Sequence, residues 1–316
     1  MDGNEVKRRL PKSARTPEAF QSRRITERSL AIIETINRYR LLTSSDLIRL
    51  VGGNEDVTYR HLQQLYHLDL IGRMAVPHET NGEFVYFLDN PTGLRELVQR
   101  TGTWLGALDF TLIRLNRAKY GSGKLPENGS GGTALFLKHE LMISRFRAAL
   151  EMEAARSGGR VVLEEWRQGP ELWDTVRAPR LAGARGTLPH RPDAYFTLRF
   201  PTSPEGQQRS HFFYEADRAT SNCTRFRMKM AAYLSFFLQG DYARKYHARK
   251  VRAVLVETTS ANWLAQLRRT SGDLTQEQPL AGPLFWFTTA GLVREKSPFS
   301  PLWVCAGDER ERSVLD

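Results

Sequence analysis

Two aromatic-rich runs near the middle of the chain constrain its fold more than any other feature. Residues 193–198 and 211–217 combine aromatic and β-branched residues in the way that is typical of strands. Because side chains alternate along a strand, Glu215 and Asp217 point to the same face. Asp193 stands at the start of the neighbouring run. The spacing therefore predicts three carboxylates near one place on a β-sheet.

Three carboxylates that meet in one place repel one another unless something offsets their charge. Protonation, an arginine or lysine side chain, or a hard cation such as Mg²⁺ can each do so. A simpler interpretation treats them as strand-end carboxylates in water, or paired with Arg218 and Arg225. Residue spacing alone leaves both interpretations open.

The order of these acidic residues resembles a known nuclease core. The Pro192-Asp193 pair on one strand and Glu215 on the next resemble the PD-(D/E)XK nuclease superfamily, except that Asp217 stands at the lysine position. The fuller run 215–220, followed on a helix by Lys229 and Tyr233, resembles the replication-relaxation family of bacterial plasmids and mobile elements. This resemblance extends from about Thr26 to Trp286.

The resemblance implies both an architecture and a candidate site. It implies an α+β protein in which an N-terminal winged helix-turn-helix precedes a PD-(D/E)XK nuclease-like domain with a mixed sheet. It implies that Asp193, Glu215 and Asp217 are catalytic and hold Mg²⁺ as metal ligands. Lys229 is the fourth catalytic candidate, because it would take over the task of the missing lysine.

Composition favours a polyanionic partner. The 316 residues carry a formal net charge of +11, which favours nucleic acid before a membrane surface, although a generally basic proteome would explain it too. The two cysteines argue against a disulfide scaffold and a structural zinc site. No apolar run approaches the ~20 residues needed to span a bilayer, and the N-terminus lacks a secretory signal. We therefore expect a cytoplasmic protein.

The first part of the chain has the pattern of a winged helix. Residues 1–24 are polar and basic, which predicts a disordered tail. The 25–120 domain would begin with a helix after Thr26, a second helix capped by the box at residues 43–46, and a third helix over 55–68. Two short strands, at 70–74 and 83–88, would form a hairpin or wing. Further helices, at 91–100 and 107–120, would extend the domain.

The third helix would then be the recognition helix. Thr58, Tyr59, Arg60 and Gln63 fall outside its apolar stripe and are the residues expected to face DNA, with arginine reading guanine and glutamine reading adenine. Arg73 at the wing is expected to contact phosphate. A winged helix that docks a protein would leave the same residues solvated, so that alternative stays open.

Residues 121–132 are rich in glycine and serine, which predicts a flexible linker before a second domain over 133–316. The predicted order within that domain is α-β-β-β-α-β followed by α-β, as in the nuclease core. His190, just before the acidic motif, is expected to be an exposed loop residue, with contact to substrate as the alternative.

Two functions remain open from the sequence. One is a Mg²⁺-dependent DNA endonuclease of a plasmid or mobile element, acting in DNA replication or processing. The other is a non-catalytic regulator or replication accessory factor that uses a degenerate nuclease fold. Double-stranded DNA is the expected partner in both. A homodimer and partner proteins of the replication or mobile-element machinery are further expectations, and no membrane partner is expected.

Overall fold

The computed structural model describes residues 14–21, 24–75, 82–102, 108–120, 132–178 and 186–316. The chain divides into two compact units, Met1–Arg145 and Phe146–Asp316. Most of the predicted basic tail and all but the last residue of the predicted linker lie outside the described residues. The two units contain helices and a seven-stranded mixed sheet, so the predicted α+β class is confirmed.

The helices of the first unit begin where the sequence supplies capping side chains. Thr26 caps the first helix together with Ser29, and Thr43 caps the second together with Asp46, so the predicted capping box is confirmed. The helices with their bounds are α1 (Glu27–Tyr39), α2 (Ser44–Val51), α3 (Glu55–His67), α4 (Pro91–Thr101), α5 (Phe110–Tyr120) and α6 (Gly132–Arg156), and the division between the units falls within α6.

A small antiparallel sheet completes the first unit. Its strands are β1 (Leu42–Thr43), β2 (Gly72–Ala75) and β3 (Phe84–Phe87), in the order β1-β3-β2. Gly72 pairs with Phe87, and a Cβ at Gly72 would lie 2.3 Å from a ring carbon of Phe87. Only glycine allows β2 to start at that point.

The segment before α1 differs from the predicted disordered tail where it is described. Arg15 forms an ion pair with Asp69, with 3.1 Å between nitrogen and oxygen. The Phe20 ring stacks on the His67 ring with centroids 4.6 Å apart. An aromatic side chain and a paired arginine hold this segment against the end of α3, which polar composition alone does not predict.

The second unit is built on a sheet in the order β12-β11-β10-β9-β8-β7-β4, with β5 and β6 forming a separate hairpin. Its strands are β4 (Val162–Gln168), β5 (Asp174–Arg177), β6 (Thr187–His190), β7 (Ala194–Arg199), β8 (Arg209–Asp217), β9 (Ala253–Thr258), β10 (Phe285–Thr289), β11 (Trp303–Cys305) and β12 (Asp308–Arg312). The pairs β8-β9 and β9-β10 are parallel, and the other neighbours are antiparallel.

Helices cover both faces of this sheet. They are the last part of α6 together with α7 (Cys223–Leu238), α8 (Asp241–Tyr246), α9 (Ala261–Glu277), α10 (Ala281–Leu284) and α11 (Ala290–Glu295). On one face, Phe226 and Tyr233 of α7 pack into a core with Phe213 and Val254. On the other face, Phe146 of α6 stacks on Tyr214 with ring centroids 4.0 Å apart. Burial on both faces explains the apolar runs within the central parallel strands, at residues 212–214 of β8 and 253–256 of β9.

Two short 3-10 turns, Pro17–Ala19 and Pro170–Leu172, complete the described elements. Within the described part of the chain, no helix has both the length and the apolar character needed to cross a membrane.

Candidate functional site

The acidic residues meet in the second unit where β7 begins beside the end of β8. Ala194 pairs with Tyr214, so Asp193 and Glu215 are the next residues along the two strands. The Asp193 carboxylate accepts a hydrogen bond of 2.9 Å from the backbone N–H of Ala216. This bond holds the aspartate beside the acidic strand.

Glu215 is buried, with only 2% of its surface exposed. It accepts hydrogen bonds from the ammonium group of Lys229 and from the Tyr233 hydroxyl, the latter at 2.5 Å. The two donors lie four residues apart on α7, so they project from the same face of that helix. The sequence thus places both partners of one carboxylate on the helix that follows its strand.

Lys229 connects the two carboxylates. Its nitrogen contacts Glu215 and lies 3.9 Å from an oxygen of Asp193. The lysine side chain is 36% exposed, whereas Glu215 is almost fully enclosed. The cluster of Asp193, Glu215 and Lys229, which we call the acidic cluster, is therefore open to solvent on the side of the lysine.

Burial determines the protonation of the acidic cluster. It raises the pKa of Glu215 to about 8, against the opposing effect of Lys229 and with a further contribution from Asp193. Burial alone would lower the pKa of Lys229, but Asp193 and Glu215 outweigh it and raise that pKa. Two carboxylates and one ammonium leave one negative charge in excess. A shared proton or an added cation would balance it.

Asp217 is held differently from the other two carboxylates. It accepts hydrogen bonds from the Trp263 indole at 3.0 Å and from the backbone N–H of Ala219 at 2.6 Å. Among the residues that the structure describes, no three His, Cys, Asp or Glu side chains are arranged to hold a metal ion. The structure thus brings Asp193 and Glu215 together around Lys229, while Asp217 is turned toward α9 and the loop before α7.

His190 does not lie in an exposed loop, so that expectation is wrong. It lies on β6 with 1% of its surface exposed, and its ring centroid is 4.6 Å from that of Tyr233. Burial, with Lys245 and Lys229 nearby, lowers the pKa of His190 to about 3. A neutral histidine therefore packs behind the tyrosine that contacts Glu215.

Trp263 is the site residue that sequence reasoning missed. It lies 46 residues after Asp217, on α9, and nothing in its local pattern distinguishes it from a core tryptophan. The preceding β9 pairs in parallel with β8, which brings the start of α9 to the end of the acidic strand. This pairing is the only signal that could have found it.

The first unit carries the second predicted site. An open cavity of about 660 Å³ lies between α3 and the β2–β3 hairpin. Six of its lining residues are Tyr59, Arg60, Gln63, Arg73, Glu83 and Phe84. Three of these, Tyr59, Arg60 and Gln63, are exposed on α3 as predicted. Four of the five residues expected to face DNA therefore line one concave surface.

The fifth residue, Thr58, was expected to face DNA, and that expectation is wrong because 0% of its surface is exposed. Its hydroxyl accepts a hydrogen bond from Arg28 of α1 at 2.6 Å and donates one to the carbonyl of Asn54. Thr58 therefore ties α3 to α1. Because Thr58 is polar, it fell outside the apolar stripe of α3 in the sequence, although its side chain belongs to the packed face of the helix.

Arg73 has an additional role within the first unit. Its guanidinium lies 3.9 Å from the Tyr66 ring centroid and 4.5 Å from that of Phe84. Because the two rings belong to α3 and β3, the arginine joins the helix to the hairpin by cation–π contacts.

Comparison with known proteins gives one match. No curated protein and no solved structure matches the chain. The family model described as replication-relaxation matches residues 33–252, well over half of the 316 residues. The matched range includes α3, the acidic cluster and all of α7. The chain therefore belongs to the replication-relaxation family.

Proposed function

We propose that this protein binds double-stranded DNA through a winged helix in its first unit and cleaves DNA with a PD-(D/E)XK nuclease-like second unit that uses Mg²⁺. The observation that carries the proposal is the position of the Lys229 ammonium beside the carboxylates of Asp193 and Glu215. Membership of the replication-relaxation family supports a role in replication or DNA processing. The plasmid or mobile-element setting, the cytoplasmic location, a homodimer and replication partner proteins belong to the same proposal.

The first unit supports DNA binding by its order of elements and its exposed side chains. Three helices followed by a β-hairpin is the order of a winged helix, in which α3 would enter the major groove. Arg60 and Gln63 are exposed on that helix, and their side chains suit guanine and adenine. The net charge of +11 favours the approach of a polyanion.

The second unit supports the nuclease assignment by its topology. Antiparallel strands β4, β7 and β8 lead through α7 to the parallel strand β9, and the acidic cluster lies at the end of β8. The superfamily's lysine position is Asp217 in this chain. The following helix supplies the positive charge instead, because Lys229 reaches Glu215 from α7.

The acidic cluster fits a magnesium ion through two carboxylates. The Lys229 ammonium already stands in for a cation between Asp193 and Glu215, and Mg²⁺ is commonly held by one or two carboxylates plus substrate phosphates. When bound, the ion would supply charge stabilisation at the scissile phosphate and an activated water. For Asp217 to serve as a third ligand, its carboxylate would have to leave Trp263.

The reaction is hydrolysis of a phosphodiester. A water oxygen forms a bond to phosphorus, one phosphorus–oxygen ester bond breaks, the water gives a proton to solvent and the leaving oxygen takes one up. Lys229 donates a hydrogen bond to the attacking water and offsets phosphate charge. Tyr233 holds the Glu215 carboxylate in place from the buried side.

A second function is favoured by the burial of Glu215. Lys229 and Tyr233 already satisfy this carboxylate, and Asp217 holds a loop. In a non-catalytic regulator or replication accessory factor, the same contacts would stabilise a DNA-binding or dimerising platform. The acidic cluster would then only stabilise the fold.

Cleavage of supercoiled, nicked and branched DNA with and without Mg²⁺ separates the two functions. The nuclease assignment expects Mg²⁺-dependent cleavage that is lost in Lys229→Ala and kept in Lys250→Ala, a matched exposed lysine. Duplex binding should persist in both variants. Cleavage that survives in Lys229→Ala would overturn the role of this lysine. A wild type that cuts none of the three substrates would favour the regulator.

A further inference from the structure

An exposed tryptophan lies beside an arginine just ahead of the acidic cluster. Trp173 has 49% of its surface exposed, and the Arg191 guanidinium lies 5.0 Å from its ring centroid. The other tryptophans in the described part of the chain are half-buried or buried. The exposed half of the indole adds no burial to the fold, and an aromatic ring beside a cation is a common surface for nucleobases.

Strand pairing explains why these two residues meet. Asp174 pairs with His190 across the β5–β6 hairpin, so the residues just outside this pair, Trp173 and Arg191, face each other. Alternation sends the His190 ring into the core against Tyr233 and leaves Arg191 exposed. The hairpin therefore presents the indole and the guanidinium together on its outer side.

The chain connects this surface to the acidic cluster. Arg191 precedes Asp193 by two residues, a span of no more than about 7 Å. On the inner side of the same hairpin, His190 packs on Tyr233, which donates to Glu215. A nucleic-acid strand whose phosphate lies at the acidic cluster would thus have a neighbouring nucleotide within reach of Trp173.

We propose that Trp173 and Arg191 form a stacking platform for an unpaired nucleobase of DNA bound at the acidic cluster. The indole stacks on the base, and the arginine contributes a cation–π contact and attracts the adjacent phosphate. Bases inside an intact duplex are already stacked on each other and cannot use the platform. The substrate class that follows is DNA with unpaired nucleotides beside the cleavage point, such as branched or single-stranded DNA. This inference rests on the proposed function.

The test measures the affinity of the full chain for labelled DNA by fluorescence anisotropy. The probes are a thymidine oligonucleotide of about 20 nucleotides and a mixed-sequence duplex of equal length. Trp173→Ala should weaken binding of the oligonucleotide roughly 5- to 100-fold and leave duplex binding within about twofold. Trp173→Phe should keep most of the affinity, since phenylalanine still stacks. Leu238→Ala, at another exposed apolar side chain of the second unit, is the matched control and should change neither.

Salt dependence adds a readout that a merely structural role would not produce. Trp173→Ala removes no charge, so the slope of affinity against salt should stay as in wild type, whereas Arg191→Ala should flatten it by about one unit. Equal losses on both probes would overturn the platform proposal but not the proposed function. The same holds if Trp173→Ala binds the oligonucleotide as tightly as the wild type does. A wild type that binds neither probe would overturn the proposed function as well. Thermal melting of each variant identifies any loss that is due to misfolding.

Discussion

Replacing Lys229 by methionine tests how the charge of the acidic cluster is balanced. Methionine keeps most of the aliphatic length and removes the ammonium, so Glu215 and Asp193 lose the cation between them. Removing one partner of a fully buried ion pair costs about 3–5 kcal/mol. Lys229 is about one-third exposed, and solvent screening should reduce the loss to about 2 kcal/mol.

The sign of the pH dependence follows from the pKa of Glu215. Because that pKa is raised to about 8, the stability that its protonation contributes is present at low pH and is lost as the pH rises through about 8. Above this value Glu215 is charged, and the ammonium of Lys229 then stabilises the fold most. Lys229→Met should therefore cost about 2 kcal/mol at about pH 9 and less than about 1 kcal/mol at about pH 6.

Urea unfolding of the wild type and of Lys229→Met at the two pH values measures this difference. Lys250→Met is the control and should stay within about ±0.5 kcal/mol at both, as exposed substitutions usually do. A cost that is the same at both pH values would refute the reasoning, because a shared proton would then not replace the ammonium. Folding stability and cleavage must be measured together. Substitutions of exposed lysines usually leave folding stability unchanged, but Lys229 contacts the buried carboxylate of Glu215.

Three further predictions concern other sites. Arg60→Ala should weaken binding to a specific DNA target by about 1–3 kcal/mol with little change on random DNA, and equal losses in an anisotropy titration would mean that α3 does not read bases. Tyr233→Phe should cost about 1–2 kcal/mol of unfolding free energy at neutral pH, since Glu215 loses a buried donor, and unchanged urea unfolding would contradict this. Burial raises the pKa of Glu257 from 4.5 to about 7, so stability should fall by at most about 3 kcal/mol as the pH rises through that window. Glu257→Gln should remove this fall, and an identical pH profile of unfolding in the variant would refute the assignment.

Local sequence signals predicted the elements well where capping and periodicity act within a few residues. The capping box at Thr43 and the third helix with its apolar stripe are of this kind, because a helix is specified largely by its own side chains. The alternation of side chains along a strand also predicted that Glu215 and Asp217 share one face of β8. The hairpin β5–β6 was not predicted, since its short strands carry no alternation strong enough to distinguish them from a loop.

The candidate site was predictable in part. Asp193, Glu215 and Lys229 could be proposed from motif order, and the structure brings these three together. The contacts of Thr58 and Asp217 could not be predicted from motif order. Thr58 faces Arg28, and Asp217 faces Trp263, and each partner comes from a distant part of the chain.

The sequence by itself determined the charge of the protein, the two strands that carry the carboxylates and the helix that follows them. Each of these depends on residue type and short-range spacing, which the chain carries in any conformation. Only the tertiary structure decided that Glu215 is buried, that Lys229 is its counter-ion and that Trp173 stays exposed beside Arg191. Burial and charge compensation arise from the packing of segments far apart in sequence, so a pKa near 8 has no local signature in the chain.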